Sequence, residues 1–405
     1  METVPEHKEI RTVAIAPPRD LESNDEELVL SPSFIGRPSL LGDASNVERR
    51  RRGCFASTSR TEANATRSSV PFVPTVRWGS AAAQGQRYSM EDAHIAVPSI
   101  EAYAGRTFEE AGAHAFFGMF DGHGGTSAAE FARKNLLSTL LAHSAFPGRP
   151  AEALRAAFVT TDEAYYRAVH RPEAPERDAG ATALAALVWG ARLVVANAGD
   201  SRAVLSRRGR AINLSRDHKP SCPSERERVA SAGGYVCGEG FLNGQLTVTR
   251  GLGDFHPEMR DTHEQRERLK YAAGSHGTLR LVGPLTADPE VHTHALQAED
   301  EFLVVACDGL WDVLSSQRCV ELARAHLREN NSPQLCAQHL VDMSLEMHSG
   351  DNVTALVVCF SAEAPPARSF GSGRLGLRSL SRDGLSTLSS ALSSAMTDPL
   401  PALTD

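Results

Sequence analysis

The sequence predicts an α/β (α+β) fold over residues 76–361. The expected architecture is a four-layer αββα sandwich, two antiparallel sheets flanked by helices. Three observations carry that prediction. Several short segments are apolar at consecutive positions, as in strands covered on both faces. Gly190-Ala191 and Arg208-Gly209 are two-residue breaks that close antiparallel hairpins, whereas parallel strands would need long crossovers. Amphipathic helical periodicity recurs along the chain and supplies the outer layers.

The elements follow in order. Residues 1–75 are rich in Ser, Pro, Arg and Glu without sustained periodicity, and a disordered N-terminal extension is expected there. Strands are expected at 113–120 (AHAFFGMF), 181–189 (ATALAALVW), 192–197 (RLVVAN), 203–206, 245–249, 301–307 (EFLVVAC) and 353–360 (VTALVVCF). Helical spacing covers 127–141, 151–169, 224–232, 317–328 and 333–347. The last of these opens on Ser332 and Pro333, an N-cap followed by a first-turn proline. Between Asp254 and Gly283 a charged stretch reads as an exposed insertion with a short helix at 261–272. Residues 362–405 form a flexible Ser-rich tail, with a short helical stretch at 386–396. Ser369 and Ser379 each follow an arginine there, which makes them candidate kinase targets, although a plain solvated tail is the favoured reading. Strand order is left open by the sequence, and no internal repeat is visible.

Composition narrows the function classes. Hydrophobic residues make up 41% of the 405, enough for a sizeable core. The chain has 42 basic and 50 acidic residues, a net charge of −8, which disfavours nucleic-acid binding. No apolar run reaches membrane-spanning length and residues 1–20 lack a signal-peptide core, so no membrane association is expected. Seven cysteines without a CxxC pair suit a reduced compartment, and a cytoplasmic and/or nuclear location is expected. The basic cluster Arg49–Arg52 is a candidate import signal, with a solvated charge run as the plainer reading.

The chemistry lies in the acids. Asp121 follows FFGMF, Asp200 follows VVANAG, Asp308 follows FLVVAC, and Asp351 precedes NVTALVVCF; each has glycine beside it. One such Asp is an ordinary turn residue. Four of them, at the ends of strands in packed sheets, would converge in one cleft and repel each other unless a cation joined them. All candidate ligands are hard oxygens, which favours Mg²⁺ or Mn²⁺ over zinc or copper; calcium also takes oxygens, but no EF-hand spacing is present. Paired divalent ions can generate hydroxide near neutral pH and clamp a phosphoryl group. His123 is placed to protonate a leaving oxygen, and Arg87 to hold phosphate oxygens.

The motifs RYSMED (87–92), FDGHGG (120–125), DAGATA (178–183), NAGDSRAV (197–204), TRGLGD (249–254), ACDGLWDV (306–313) and DNVT (351–354) resemble, in that order, the metal-dependent type 2C Ser/Thr protein phosphatases, above all plant-type members. The resemblance covers residues 76–360 and implies the family's pair of antiparallel sheets flanked by helices. It implies that Asp121 bridges two core ions, that the Gly122 carbonyl serves one of them, and that Asp308 and Asp351 bind one ion. Glu91 would lie on the other side, mostly through water, with Asp92 in an outer shell. Asp200 and Asp312, with Asp308, match a third, weaker site. Arg87 matches the phosphate-binding arginine and His123 the general acid. The implied reaction is hydrolysis of phosphoserine and phosphothreonine in protein substrates by a metal-bridged hydroxide, with no phosphoenzyme intermediate. A monomer is expected.

Other residues are assigned structural work. The turn Asp217-His218-Lys219 is read as structural, Asp254 as hydrogen-bonding within its turn, Asn352 as orienting Asp351, and Thr182 as a buried strand residue. His114, His218, His256, His276 and His294 are read as surface or structural, and Cys307 and Cys359 as buried in strands. In abscisic-acid co-receptor phosphatases a Trp stands five residues past an AGG motif. Here Ala232-Gly233-Gly234 leads to Glu239 at that position, so abscisic-acid receptor docking is not expected. Aspartyl-nucleophile phosphotransferases need a second acid two residues on, but His123 and Leu310 stand there. A catalytically dead scaffold would have lost ligands, and none is missing.

Overall fold

Strand β3 (His114–Phe120) shows why the sandwich forms. Its odd and even side chains are all buried, but in different places. Phe116 and Phe120 join the layer under the helices, while Ala115, Phe117 and Met119 join the layer between the sheets. Strand β13 (Val353–Cys359) divides in the same way, with Val353, Ala355 and Val357 under the other helices and Leu356 and Val358 between the sheets. Consecutive apolar positions are thus the signature of a strand with two covered faces. Each fully buried phenylalanine contributes about 1.5–3 kcal/mol.

The computed structural model describes residues 72–169, 179–238, 240–256 and 283–367. They lie within one compact unit that begins at Phe72. Both large sheets are antiparallel. One runs β1 (Arg77–Ala83), β13, β12 (Asp300–Ala306), β8 (Arg202–Arg207), β9 (Arg210–Asn213). The other runs β11 (Glu290–Ala295), β7 (Arg192–Ala198), β6 (Ala183–Trp189), β3, β2 (Ala93–Val97). Helices α2 (Ser127–Ala142) and α3 (Pro150–Val169) cover the second sheet. Helices α6 (Ser316–Asn330) and α7 (Pro333–Glu346) cover the first. Three shorter helices are α1 (Ile100–Ala104), α4 (Pro223–Ser231) and α5 (Asp308–Trp311). The αββα sandwich expected from the sequence is present, and Ser332 caps α7 as expected by accepting from the Leu335 N–H.

The two hairpin turns are where the sequence places them. Trp189 pairs with Arg192 and Arg207 with Arg210. Arg208 and Gly209 both take positive φ (51° and 75°), as a type I′ turn requires.

Two expectations are corrected. The run 181–189 is not one strand. It breaks at Thr182, whose N–H donates to the Asp121 carbonyl at 2.8 Å, so Gly180–Ala181 belongs to a separate small sheet ordered β10 (Leu252–Gly253), β5 (Gly180–Ala181), β4 (Gly122–His123). Residues 245–249 are not a strand either. Asn243 and Gly244 turn the chain with φ 47° and 74°, leaving only isolated bridges at Leu242, Leu246 and Arg250. Among the described residues no strand runs alongside; the segment instead lines a cleft. The insertion helix at 261–272, Glu239, His276, Cys54, residues 1–71 and 368–405 of the terminal extensions, and with them the tail serines, lie outside the described residues.

The outer edge of β1 is closed by side chains. Gln334 of α7 accepts from the Ser80 N–H (3.2 Å) and donates to the Ser80 carbonyl (2.7 Å). Arg77 donates to the Ser361 carbonyl and to both oxygens of Asn331. Close packing is possible because Gly79 has no Cβ: one would stand 2.2 Å from the Gln334 backbone.

Candidate metal centre

The acids lie at one end of the sandwich. Asp121 leaves β3 beside the start of β2, because Ala93 pairs with Phe120. Asp200 follows β7 and Asp308 follows β12. Asp351 precedes β13, whose Val353 pairs with Ala83 at the end of β1. The β1–β2 loop therefore brings Arg87, Glu91 and Asp92 to the same end. One cleft of about 450 Å³ is lined by Arg87, Glu91, Asp121, Gly122, His123, Asp200, Asp308 and Asp351, with 245–248 as a further wall.

Carboxylate oxygens of Asp121, Asp200 and Asp308 all lie within 4.8 Å of one another. Burial, then the charges of Asp92, Asp308, Asp200 and Asp351, push the Asp121 carboxyl well up. Burial and the neighbouring Asp200, Asp312 and Asp351 raise Asp308 to about 7, against a weaker pull from Lys219. Burial also raises Asp200, with Lys219 opposing. Clustered carboxylates with hard oxygen donors fit a hard divalent cation. Gly122 sits close enough to the β1–β2 loop that a Cβ would meet the Glu91 carbonyl at 2.5 Å. A side chain there would push that loop away from the cleft.

Two of the sequence candidates stand apart from this cluster. Asp92 lies behind the cleft: its Oδ2 accepts from Thr354 Oγ1 (2.6 Å), while its buried Oδ1 has no partner and approaches Asp121 and Cys307. Asp312 caps α5 at its C-terminal end and is largely exposed, 3.6 Å from Lys219 Nζ. Glu91 accepts from Ser89 Oγ at 2.8 Å. Arg87 reaches Asp351 at 2.6 Å with its guanidinium mostly in solvent.

His123 Nε2 lies 2.9 Å from both carboxylate oxygens of Asp254. Burial opposes protonation of this ring, but the Asp254 hydrogen bond and charge, with Glu91 and Asp200, raise its pKa overall. Asp254 therefore bonds across to β4, not within its own turn as expected.

Several residues at the site were assigned other, structural work from sequence. Lys219 Nζ stands 3.3 Å from Asp200, so one residue of the Asp217-His218-Lys219 turn enters the site. The other two are structural: Asp217 pairs with Arg202, and buried His218 accepts from the Gly199 N–H. Asn352 meets Asp351 through its backbone N–H, which donates to Asp351 Oδ1 at 2.7 Å, while its side chain turns elsewhere. Its Oδ1 accepts from the Glu91 N–H, and its Nδ2 donates to the carbonyls of Gln84 and Ser89, which ties the Arg87–Glu91 loop to β13. Thr182 Oγ1 accepts from the Asp121 N–H and bonds Ser201.

A sequence model described as "Protein phosphatase 2C" matches residues 76–353. "Probable protein phosphatase 2C 57" of Oryza sativa subsp. japonica is 42% identical over 90% of this chain and 94% of its own length. "Probable protein phosphatase 2C 22" of Arabidopsis thaliana is 45% identical over 79% of this chain and 78% of its own. Among solved structures, serine-threonine phosphatase 2C from Toxoplasma gondii superposes with a TM-score of 0.56 at 23% identity, over 72% of this chain and 98% of that one. A C. elegans sex determining protein gives the same TM-score and identity over 71% and 65%. These two structural likenesses bear on the fold alone.

Proposed function

Because the chain belongs to the protein phosphatase 2C family, as a plant-type protein serine/threonine phosphatase, we propose that it hydrolyses phosphoserine and phosphothreonine in proteins directly, without a phosphoenzyme. Bound divalent ions, Mg²⁺ or Mn²⁺ at two core positions and a weaker third, would supply the activated hydroxide and neutralise the phosphoryl group. Asp121, the Gly122 carbonyl, Asp308, Asp351 and Glu91 would hold the core pair, with Asp92 behind them. Asp200 and Asp312 would serve the third site with Asp308.

The chain's own side chains do the rest. Arg87, mostly exposed beside Asp351, has further N–H groups available for phosphate oxygens. His123 gives a proton to the leaving seryl or threonyl oxygen. The Asp carboxylates act as ligands and not as nucleophiles. Residues 76–361 form the catalytic domain. The enzyme acts as a monomer in the cytoplasm and/or nucleus, without abscisic-acid receptor docking. No helix among the described residues is long and apolar enough to cross a membrane.

The observation that carries this reading is the meeting of the Asp121, Asp200 and Asp308 oxygens within 4.8 Å. Phosphate release from a phosphothreonine peptide should require Mg²⁺ or Mn²⁺ and stop on chelation. Asp308→Asn should lower kcat by on the order of 100-fold or more with the fold intact. In ¹⁸O-water a single turnover should place one label in phosphate, with no labelled protein trapped. Full activity of Asp308→Asn at saturating Mn²⁺ would sink the proposal.

A further inference from the structure

Asp254 is a buried acid that the mechanism above leaves without a task. It is 3% exposed. Its backbone takes φ 49°, a left-handed conformation uncommon outside glycine. It belongs to neither carboxylate cluster at the cleft, and its carboxylate faces His123 Nε2 with both oxygens at 2.9 Å.

The smallest sheet is built around that contact. Its three strands pair His123 with Gly180 and Gly180 with Gly253. The Asp254 N–H donates to the Ala179 carbonyl, and the Gly253 N–H donates to Asp162 Oδ1 at 2.9 Å. Gly180 is the gap that lets the partners meet. A Cβ there would stand 2.0 Å from Asp254 Oδ2 and 2.5 Å from His123 Nε2. Left-handed backbone at Asp254, a side-chain-free position at Gly180 and a sheet of two-residue strands all converge on one hydrogen bond, which is costly to assemble for a merely structural purpose.

We propose that Asp254 is the positioning residue of His123: it fixes the ring through Nε2 and leaves Nδ1 as the nitrogen that serves the cleft. This rests on the phosphatase reading above and deepens it. As the bond between phosphorus and the seryl oxygen breaks, its electron pair goes to that oxygen, which takes the proton from His123 Nδ1. The ring, an imidazolium before the step, keeps the electron pair of the broken N–H bond and becomes neutral, with Nε2–H still on Asp254. The attacking water forms the new phosphorus–oxygen bond and releases one proton to solvent, and the ring is reprotonated from solvent. The products are hydrogen phosphate and the free hydroxyl. Among the described residues Nδ1 has no hydrogen-bond partner, and the side chain is 37% exposed in the cleft.

The test compares leaving groups. A phosphothreonine peptide leaves as an alkoxide that needs a proton, whereas 4-nitrophenyl phosphate leaves as a stable phenolate. Asp254→Asn should lower kcat on the peptide on the order of 100-fold and on the aryl ester by at most about tenfold, because only the first leaving group needs the acid. Gly180→Ala, which places a methyl between the two partners, should show the same split. In a His123→Ala background, Asp254→Asn should add nothing. Equal losses on both substrates, or an undiminished peptide rate, overturn the assignment. If the wild type itself released no phosphate from the peptide with Mn²⁺, the phosphatase reading would fail instead. A measurement on the unaltered, magnesium-loaded protein covers variants that do not fold. A long-range ¹⁵N–¹H spectrum of labelled histidine should show neutral His123 protonated at Nε2. The Nδ1–H tautomer overturns the proposal.

Discussion

Lys219 supplies an ammonium close to Asp200 and Asp312, and Arg87 supplies the charge beside Asp351. These two cations do not balance the cluster, and Asp308 remains raised to about 7. The sign of the consequence follows from linkage. A carboxyl whose folded pKa lies above its unfolded value favours the folded state while protonated and disfavours it once ionised. Without a cation, stability therefore falls as pH rises through about 7. His123, raised in the fold, acts in the same direction. His218, pushed down to about 4 by burial, opposes this, but only below its ordinary 6.5. The window from about pH 6.5 to 8 thus belongs to the cluster. In chelator the melting temperature should be several degrees lower at about pH 8 than at about pH 6.5. Mg²⁺ should erase the difference, and Asp308→Asn should shrink it. A flat or inverted profile in chelator would contradict the cluster electrostatics.

Asp121, Asp200, Asp308 and Asp351 were legible from sequence because each abuts a strongly apolar strand. The partners were not. His123 and Asp254 are 131 residues apart, and Lys219 reaches Asp200 from a turn whose residue types look like those of any surface loop. Pairings set by tertiary closure leave no local periodicity to read.

At the scale of elements, legibility followed burial. β3, β6 and β13 have two covered faces and stand out as apolar runs. The edge strands β1, β2, β9 and β11 are only partly covered and went undelimited; β11 reads Glu-Val-His-Thr-His-Ala, without one fully buried residue. The five expected helices that fall on described residues appear within one or two residues of their predicted ends, because amphipathic spacing and caps are local signals. Residues 245–249 misled because Leu, Val and Thr suit a strand, yet 245–248 form the cleft wall, with no partner strand among the described residues.

Asn352 shows how one residue couples elements. Three hydrogen bonds join the start of β13 to the loop between β1 and β2. Asn352→Ala should cost about 1–3 kcal/mol, since buried partners are left unpaired. The Glu91 amide should then exchange with solvent markedly faster than in wild type, and the KM for Mn²⁺ should rise. Unchanged exchange at Glu91 would show that the loop is held by something else.

For the molecule as a whole, two sheets share one interior, and their ends gather the acids that neither sheet could assemble alone. Closing such a sandwich leaves outer strands with backbone groups facing away from the fold. On β1 the carboxamide of Gln334 answers both free groups of Ser80, acting as a one-residue stand-in for a neighbouring strand. An exposed outer strand is a template on which a second chain can add. Gln334→Ala should bare that template and give concentration-dependent oligomers in sedimentation velocity, at protein levels where the wild type shows a single slow species. Resistance to runaway polymerisation is thus vested in a surface amide far from any chemistry.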